Sequence, residues 1–445
     1  MPSRKFTTIV AVTAAAALLA PAAADAVTYP PPANPKATSG KPKGPFKTLK
    51  VSKKNGPYKT IQKAVDAAKP GDTIRIADGT YKEGVQIKGE GKRYIKVIGN
   101  PAHPEKVVLE GKDVKGIKAQ NGIQVNGANE VGLQGIKAQN FKANGFFVVN
   151  NVGYTFDRLI AERDGVYGIY AFNSKGGTMK NSVAYYHNDA GFYIGQTPPQ
   201  TKPIRSIVTN VQSWGNVLGF SGTNMRYVTI TKSKWFNNGT GIVPNALDSE
   251  KFAPPEENVI TDNEIFWNNF SYRQNPPFVL RKAAVGEIPY PTGVGVLLFG
   301  GRKHLISNNR FYGNYLVGAG MLQQLLLKQK DAQSLVGNEI SGNAFGLNGT
   351  DLNGRDLFYD GNGQDNCIAN NTGVQVTAPA DASTFATCPF KGNNAFSSTA
   401  QGEAIAWATG EDPTAQWIRH PHSTVAGVTP LELFSKSGKY GPKTP

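Results

Sequence analysis

Beyond its N-terminus the chain lacks any apolar run as long as the ~18 residues that a membrane-spanning helix needs. The one apolar run, residues 9–21, follows the basic residues Arg4 and Lys5 and precedes the small residues 24–26. This order is typical of a signal peptide, here cleaved after Ala26. We therefore expect residues 1–26 to be removed and the protein to be secreted, extracellular or associated with the cell wall.

Cysteine, histidine and methionine are also scarce, with 2, 5 and 4 residues in a chain of 445. So few sulfur and imidazole ligands argue against a Cys/His/Met cluster that would deliver a metal. The cysteines are Cys367 and Cys388, 21 residues apart. In an exported protein such a pair predicts one disulfide rather than a metal site.

Acidic residues are too few to balance the basic ones, at 32 Asp and Glu against 48 Lys and Arg, a formal charge of +16. This charge favours an anionic partner such as an acidic polysaccharide or a cell-wall glycan. We find no nucleic-acid-binding motif and expect no nucleic acid partner. Many of the lysines lie between Lys36 and Lys59, where they could simply solvate a linker and a cap.

What the chain has in abundance is glycine, 50 residues, and part of it is periodic. Gly122, Gly145, Gly168 and Gly191 follow one another at intervals of 23 residues. Further glycines continue the series at less regular intervals: Gly219, Gly241, Gly295 and Gly346. A fixed period of this size indicates a stacked repeat.

The residues after each glycine alternate between apolar and variable, as in Gly168-Ile169-Tyr170-Ala171. This alternation predicts strands with one buried face, and stacked repeats then pair strand on strand in parallel. Asparagines three residues before several glycines (Asn188, Asn216, Asn238 and Asn343) suit the left-handed backbone of a bend. We therefore predict an all-β fold, a single-stranded right-handed parallel β-helix over residues 46–395. A linker, 27–45, would precede it and a C-terminal tail, 396–445, extended or partly disordered, would follow.

The stretch from Tyr58 to Ala68 reads as a short amphipathic helix that would cap the N-terminal end of the solenoid. Residues 61–74 and 78–81 resemble the opening of many pectin-lyase-like parallel β-helix proteins, including NosD-type carbohydrate-binding/sugar-hydrolase domains. The stretch from Tyr167 to about Pro255 resembles a group of exported bacterial β-helix repeat proteins. The resemblance implies the fold over about residues 46 to 390. It does not fix a reaction, because this group has no settled one.

The signatures of the better-known enzymes of this fold are absent from the sequence. It lacks the Gly-His-Gly of polygalacturonases, the Trp-Ile-Asp-His of pectate lyases, the Asp-Pro-His-Asp of alginate epimerases and the Gly-Phe-Gly-x-x-Asp of pectin methylesterases. A new site on the same scaffold stays open. The sequence therefore does not decide whether the protein is an enzyme. If it is one, we expect a polysaccharide lyase, epimerase or glycoside hydrolase.

The second residue after each glycine should point outward if the first and third point inward. That column contains Phe147, Tyr170 and Tyr193 on neighbouring coils. Stacked rings suit the apolar faces of sugars, so we predict that Tyr170 and Tyr193 bind substrate; the alternative is aromatic packing that stabilises the sheet. The fifth residue after each glycine forms a second column of Asn150, Asn173, Gln196 and Asn224. An amide ladder explains this column better than ligand binding does, although Asn224 is kept as a substrate-binding candidate.

Acidic residues and a histidine cluster near the same strands. Asp164 and His187 each lie four residues before a glycine, and Asp189 lies two before. A carboxylate beside an imidazole could do acid–base chemistry, and such carboxylates could bind Ca²⁺. Arg163 could neutralise a uronate carboxylate while His187 takes its C5 proton. The alternative is that these are ordinary bend residues.

A long turn, residues 245–257, should rise at the edge of this face and carries Asp248 and Glu250. Long loops on a rigid scaffold often hold sites. An insertion from about 269 to 292 contains Tyr290 and could form a wall of the groove. The sequence thus predicts catalytic Asp164, His187, Asp189 and Asp248, and substrate-binding Arg163, Tyr170, Tyr193, Asn224 and Glu250. Two functions stay open for what we expect to be a monomer: binding and processing an acidic polysaccharide as a lyase or epimerase, or non-catalytic binding of a glycan or the cell wall.

Overall fold

The computed structural model describes residues 30–270, 272, 278, 290–347 and 352–409. The predicted signal peptide and the chain after residue 409 lie outside these ranges, so the predictions made there stay predictions. Within the described ranges, no helix is both long and apolar enough to cross a membrane.

Successive strands wind through three sheets and return to the first after each coil, as the 23-residue period predicts. The first sheet contains β1 Thr48–Val51, β2 Thr73–Ile76, β5 Lys96–Ile98, β8 Val131–Gln139, β10 Val152–Glu162, β12 Lys175–Lys180, β15 Ser206–Thr209, β18 Val228–Thr231, β21 Val259–Thr261, β25 Leu305–Ser307, β29 Glu339–Ser341 and β32 Cys367–Ala369. The second contains β3 Gly79–Tyr81, β6 Val107–Glu110, the last parts of β8 and β10, β13 Val183–Tyr185, β16 Gln212–Trp214, β19 Lys234–Phe236, β22 Glu264–Phe266, β26 Arg310–Tyr312 and β30 Ala344–Phe345.

The third sheet is the one that begins at the periodic glycines. Its strands are β4 Val85–Lys88, β7 Asn121–Asn126, β9 Asn144–Val149, β11 Tyr167–Phe172, β14 Ala190–Gly195, β17 Leu218–Thr223, β20 Thr240–Asn245, β23 Val294–Phe299, β27 Val317–Leu322, β31 Leu357–Tyr359 and β33 Thr377–Ala378. A small separate pair is formed by β24 Gly301–Arg302 and β28 Leu335–Val336. The 3₁₀ helices are η1 Glu90–Lys92, η2 Pro104–Lys106, η3 Gly116–Ala119, η4 Lys330–Ala332 and η5 Ala382–Thr384.

Neighbouring strands in each sheet are parallel, and the inward side chains of all three sheets meet in one elongated core. The fold is therefore the predicted right-handed parallel β-helix; parallel crossovers take this hand in nearly all proteins. Ile169 and Ala171, one and three residues after Gly168, lie in the core, as the alternation predicts.

The predicted line of glycines is confirmed. Phe146 pairs with Ile123 and with Ile169, and Ile169 pairs with Phe192, which aligns the four glycines that directly precede these residues. The line continues through Gly219, Gly241, Gly295 and Gly318. Gly346 is not part of it, because it follows β30 at an earlier bend of its coil.

The glycines of this line from Gly145 to Gly295 are needed because a polar side chain occupies the space beside each of them. A Cβ on Gly168 would lie 2.6 Å from His187 Nε2, and one on Gly191 would lie 2.8 Å from Asn216 Nδ2. The glycine column is thus the counterpart of a column of buried side chains at the bend between the second and third sheets. That inner column runs through Asp164, His187, Asn216, Asn238, Asn268, Asn314 and Asn353.

The asparagines of the inner column act through hydrogen bonds. Asn238 Nδ2 donates to Asn268 Oδ1 at 3.2 Å, and Asn268 Nδ2 donates to Asn314 Oδ1 at 3.0 Å. The prediction that Asn188, Asn216, Asn238 and Asn343 adopt the left-handed backbone is wrong. The residue directly before Asn216, Asn238 or Asn343 adopts it instead, for example Asn237 with φ 52°, and at the Asn188 bend Tyr186 does so. Asn343 belongs to a second ladder, with Asn309 and Asn371, at the bend between the first and second sheets.

The two α-helices of the described ranges lie at opposite ends of the solenoid. Helix α1, Ile61–Ala67, buries Ile61, Ala64 and Val65 and contacts β1, β2 and β4, at the end where the sequence predicts a cap. Helix α2, Ser398–Thr409, packs Ala400 and Ala404 against outward residues of the third sheet, including Phe358. The first part of the predicted tail is therefore helical rather than extended. The predicted disulfide between Cys367 and Cys388 is present and ties β32 to the segment after η5.

Candidate functional site

The outward face of the third sheet carries the predicted aromatic column. Phe147, Tyr170 and Tyr193 are paired in register on β9, β11 and β14, with neighbouring ring centroids 4.7 Å apart. They form a cluster separate from the main core, so the predicted outward phase is correct. The rings are nevertheless covered, because Tyr170 and Tyr193 are only 3% and 1% exposed. Packing of the sheet, the alternative stated above, therefore describes most of this column.

Asp164 and His187 come together in adjacent coils, but inside the wall of the solenoid. Both are 0% exposed, and the backbone N–H of Asp164 donates to His187 Nδ1 at 3.1 Å. Burial raises the pKa of Asp164 well above its usual value and lowers that of His187 to about 4. The imidazole of His187 is therefore neutral near pH 7, burial favours the neutral form of Asp164, and both residues occupy positions that asparagine takes in later coils.

Arg163 lies on the other side of the same bend, on the outer surface of the second sheet. Its guanidinium forms an ion pair with Glu162, which also contacts Lys137 and accepts a hydrogen bond from Tyr185. The structure therefore does not place Arg163 and His187 on one surface, because the histidine is enclosed and the arginine is held by Glu162.

The second predicted column is an amide ladder. Asn173 Nδ2 donates to Asn150 Oδ1 at 2.7 Å, and Gln196 Nε2 donates to Asn173 Oδ1 at 3.2 Å. All its members have the left-handed backbone of the bend that follows the third sheet. The ladder also binds neighbouring segments from outside, since Asn150 and Asn173 both hydrogen-bond to the backbone of Ala33.

Further along this column, Asn224 and Gln196 hold the loop that follows β20. Asn224 Nδ2 donates to the carbonyl oxygens of Leu247, Glu250 and Lys251 at 2.8–3.1 Å. Gln196 Oε1 accepts from the backbone N–H of Lys251 at 2.9 Å. These contacts bend the loop back over the third sheet and fix where the Glu250 side chain lies.

The other acidic residue predicted in this loop, Asp248, points elsewhere. It is exposed, and its Oδ2 accepts a hydrogen bond from the backbone N–H of Lys328 in the neighbouring loop. Its contact supports the loop from outside. The far end of the loop is anchored by Arg226, which pairs with Glu256 and donates to the carbonyl oxygen of Phe252.

Glu250 reaches the aromatic column and accepts a hydrogen bond from the Tyr193 hydroxyl at its Oε1. Its other oxygen, Oε2, is buried and makes no hydrogen bond to the described residues. Leaving a buried polar atom unpartnered costs about 1–3 kcal/mol, so it is uncommon unless the group has a task. The carboxyl is thus positioned by the fold and only half satisfied by it.

The pKa of Glu250 is raised to about 8, chiefly because burial penalises its charged form. The hydrogen bonds from Tyr193 and from the backbone of Gln196 oppose this effect, and the charge of Asp189 adds to it. The pKa of Tyr193 is itself raised well above 10, so its hydroxyl stays a donor. Glu250 is therefore mostly a neutral carboxylic acid at pH 7.

Asp189 and Tyr290 complete this group. Asp189 is half-buried immediately before β14, and its charge raises the pKa of both Glu250 and Tyr290. Tyr290, in the insertion, is where the described range 290–347 begins. Its hydroxyl accepts a hydrogen bond from Asn245 Nδ2 at 2.8 Å. Of the predicted site residues, the structure thus brings Tyr193, Glu250 and Asp189 together, with Asn224 holding the loop behind them.

Two residues that contribute to the candidate site were not predicted from the sequence. Tyr167 stacks on Tyr193 with ring centroids 4.7 Å apart and an interplanar angle of 7°. It directly precedes Gly168, so the alternation gives it the parity of the inward-facing Ile169, and the repeat would not have marked it as outward-facing. Asn245 ends β20 with its side chain fully buried and its Oδ1 unpartnered among the described residues. No signal in the sequence distinguishes it from a bend asparagine.

Metal donors are sparse in the described part of the chain. The one group of three acidic, histidine or cysteine ligand atoms within 4.8 Å of one another is Glu339, Cys367 and Cys388, and its sulfurs are joined in the disulfide. His187 and His304 are buried in the side-chain ladders, and His103 is exposed beside Glu105.

Comparison with known proteins gives one family and several structures of the same fold. No curated protein matches the chain. Among solved structures, the A-module of mannuronan C-5 epimerase AlgE6 from Azotobacter vinelandii matches at 18% identity and TM-score 0.48, over 70% of this chain and 89% of that one. Pectate lyase Pel9A matches at 16% identity and TM-score 0.41, over 78% of this chain and 82% of that one. The alginate lyase from Paenibacillus sp. matches at 15% identity and TM-score 0.43, over 73% of this chain and 99% of that one.

At these identities the structural likeness concerns the fold alone. The family match is more extensive: the model described as "Periplasmic copper-binding protein (NosD)" covers residues 66–316, more than half of the chain. That range contains the inner column from Asp164 to Asn314, the amide ladder and the loop that carries Glu250. The chain therefore belongs to the NosD family.

Proposed function

We propose that this protein is an exported polysaccharide-binding protein that cleaves a glycosidic bond, with Glu250 as the proton donor. The observation that carries the proposal is the contact of Glu250 with Tyr193. Because the Tyr193 hydroxyl donates to Oε1, the proton of the neutral carboxyl belongs on Oε2, which has no partner among the described residues. Cleaving a glycosidic bond requires a proton on the leaving oxygen, and a raised pKa keeps one available at neutral pH.

Asp189 supplies the second carboxyl group that this chemistry needs. Its negative charge is near enough to raise the pKa of Glu250. A pair of carboxyl groups is the usual acid and base, or acid and nucleophile, of glycoside hydrolysis. Hydrolysis is therefore the reaction that we favour, with Glu250 as the acid and Asp189 as the carboxylate.

A lyase or epimerase reaction has less support from the arrangement. Both need a cation at the substrate carboxylate and a base for the C5 proton, roles for which the sequence offers Arg163 and His187. Arg163 is paired with Glu162, and His187 is fully buried. Asp189 or Tyr193 would have to serve as the base instead, and the products of the reaction decide between these possibilities.

Copper, which appears in the family description, does not fit the described donors. Both cysteines form a disulfide, and Met179, Met225 and Met321 are fully buried in the core. The described histidines do not come together either. No step of the proposed reaction therefore uses copper.

The formal charge of +16 supports an anionic polysaccharide as the substrate, encountered outside the cytoplasm if the predicted signal peptide is used. Calcium, which acidic glycans often bring with them, stays an open requirement. The alternative function is non-catalytic binding of the same glycan. The covered aromatic column favours this alternative insofar as Tyr170 and Tyr193 stabilise the sheet rather than take part in a reaction.

The test is turnover on a panel of acidic and neutral polysaccharides by the wild type, Glu250→Gln and Glu257→Gln. The last variant makes the same chemical change at the far end of the same loop, outside the proposed site. We expect Glu250→Gln to lower kcat/KM by about 10²–10⁴-fold, the usual contribution of a general acid, and Glu257→Gln to leave it almost unchanged.

New reducing ends without ultraviolet absorbance would identify hydrolysis, and unsaturated products that absorb in the ultraviolet would identify elimination. Full activity of a correctly folded Glu250→Gln protein would refute the assignment. Binding to a glycan without turnover by the wild type on any member of the panel would favour the non-catalytic alternative.

A further inference from the structure

We propose that the outer face of the first sheet is a separate docking strip for an anionic polysaccharide, formed by Lys50, Arg75 and Lys96. The strip lies on β1, β2 and β5, in the first coils of the solenoid. Glu250 lies beside the third sheet, several coils further on. The strip is thus a second site, independent of the proposed reaction.

Strand register puts the three cations side by side. Lys50 is the direct partner of Arg75, and Lys96 pairs with Thr73, two residues from Arg75 on the same face. Their neighbours Leu49, Ile74 and Val97 point into the core, so the cations point outward. Like charges directly opposite one another, as Lys50 and Arg75 are, destabilise a sheet.

The three side chains are exposed and available. Within the described part of the chain, none of them takes part in an ion pair. Asp72, the acidic residue directly before β2, is buried and accepts backbone hydrogen bonds from Lys47 and Lys69. The strip therefore presents positive charge that the protein itself does not neutralise.

Most of the net positive charge of the protein lies in the part of the chain that surrounds the strip. Residues 30–120 contain 20 Lys and Arg but only 8 Asp and Glu, whereas the rest of the chain is nearly balanced. A field of one sign over one end of an elongated molecule attracts a polyanion and orients it. The lysine-rich start of the chain is thus more than a solvated linker.

The geometry favours a linear polymer over a small anion. Neighbouring strands lie about 4.8 Å apart, so Lys50 and Arg75 are one strand spacing apart along the axis of the solenoid, and Lys96 lies on the next strand, displaced by two residues along it. This spacing is similar to the length of one sugar unit, and a chain with one carboxylate per sugar would meet a cation at each step.

The experiment measures binding to polygalacturonate, with methyl-esterified polygalacturonate as the neutral control ligand. The strip variant is Lys50→Gln/Arg75→Gln/Lys96→Gln. The matched control is Lys202→Gln/Lys232→Gln/Lys330→Gln, which removes three exposed cations from other coils. All proteins also carry Glu250→Gln, so that the proposed cleavage cannot consume the ligand and its failure cannot affect the result.

We expect the strip variant to bind polygalacturonate about tenfold more weakly or worse, and to show a smaller loss of affinity between low and high salt. The control variant should stay within about threefold of its parent, since dispersed charge contributes little through the screening solvent. Equal losses in the two variants, or equal binding of the esterified polymer, would overturn the strip. Tighter binding of duplex DNA or of anionic lipid vesicles than of polygalacturonate would overturn the choice of partner.

Discussion

Single residues of the inner column show that chemical character alone does not identify a site. Asp164 and His187 have the composition of an acid–base pair, yet both lie where Asn216 and Asn238 continue the column. Each fills the space beside a glycine and hydrogen-bonds to the backbone of the adjacent coil. The sequence could place them in one column, but it could not show that this column faces inward.

His187→Asn should preserve the fold and make it less sensitive to acid. The pKa of His187 is about 4 in the folded protein and about 6.5 when exposed, so the unfolded state binds more protons between these values. Its contribution to stability is therefore present above pH 6.5 and lost as the pH falls toward 4, by up to about 3 kcal/mol. Urea denaturation at pH 7 and pH 5 measures the difference.

The exposed histidine His103 provides the control for this comparison. His103→Asn should leave the pH dependence of the wild type unchanged, because His103 is exposed. An identical loss of stability at pH 5 in His187→Asn and the wild type would contradict a neutral, buried role for His187.

Gly168→Ala should destabilise the solenoid although it adds a single methyl group. The new Cβ would lie 2.6 Å from both His187 Nε2 and the carbonyl oxygen of Gly191. Overpacking of this kind costs about 1–3 kcal/mol. Thermal melting should show it, whereas Gly402→Ala, in helix α2 with nothing within 4 Å, should be neutral or stabilising by up to about 1 kcal/mol. A wild-type melting temperature for Gly168→Ala would show that the column is not tightly packed.

At the scale of elements, the loop after β20 owes its position to side chains of other coils. Asn224 holds its backbone at three carbonyl oxygens, and Gln196 holds a fourth point. The sequence shows a long turn with acidic residues, but the choice between Asp248 and Glu250 depends on how the loop folds back. The amide ladder was predictable from its period, but its hydrogen bonds to the loop were not.

Asn224→Gly should release this loop while keeping the left-handed backbone at φ 48°. We expect faster hydrogen exchange in residues 247–251 and a lower kcat/KM, because Glu250 leaves its buried position. Its pKa should fall from about 8 toward the usual value of a glutamate, so the activity should be lost at a lower pH than in the wild type.

Asn150→Gly is the matched control for the loop, since Asn150 belongs to the same ladder but contacts Ala33 instead. It should leave both the exchange of residues 247–251 and the pH profile as they are. The same profile in Asn224→Gly as in the wild type would show that Asn224 has no positioning role.

For the molecule as a whole, the fold was the more predictable part because the β-helix repeats its pattern. Eight glycines of one line and the alternation behind them give many independent indications of the same coil. A site has no such redundancy: Asp189 and Tyr193 lie at and beside the start of β14, but Glu250 comes from a separate segment, and its position depends on one loop. Helix α2 was missed for the same reason, since the repeat has already ended where it begins.

The central claim is that Glu250 is a neutral acid that donates a proton during glycan cleavage. The most direct test is the pH dependence of kcat/KM for the wild type on the polysaccharide it cleaves. Since the pKa of Glu250 is about 8, we predict that kcat/KM falls tenfold per pH unit above about pH 8, as the free enzyme loses this proton. The residual activity of Glu250→Gln should lack that alkaline limb, and an alkaline limb of the same pKa in both proteins would contradict the account.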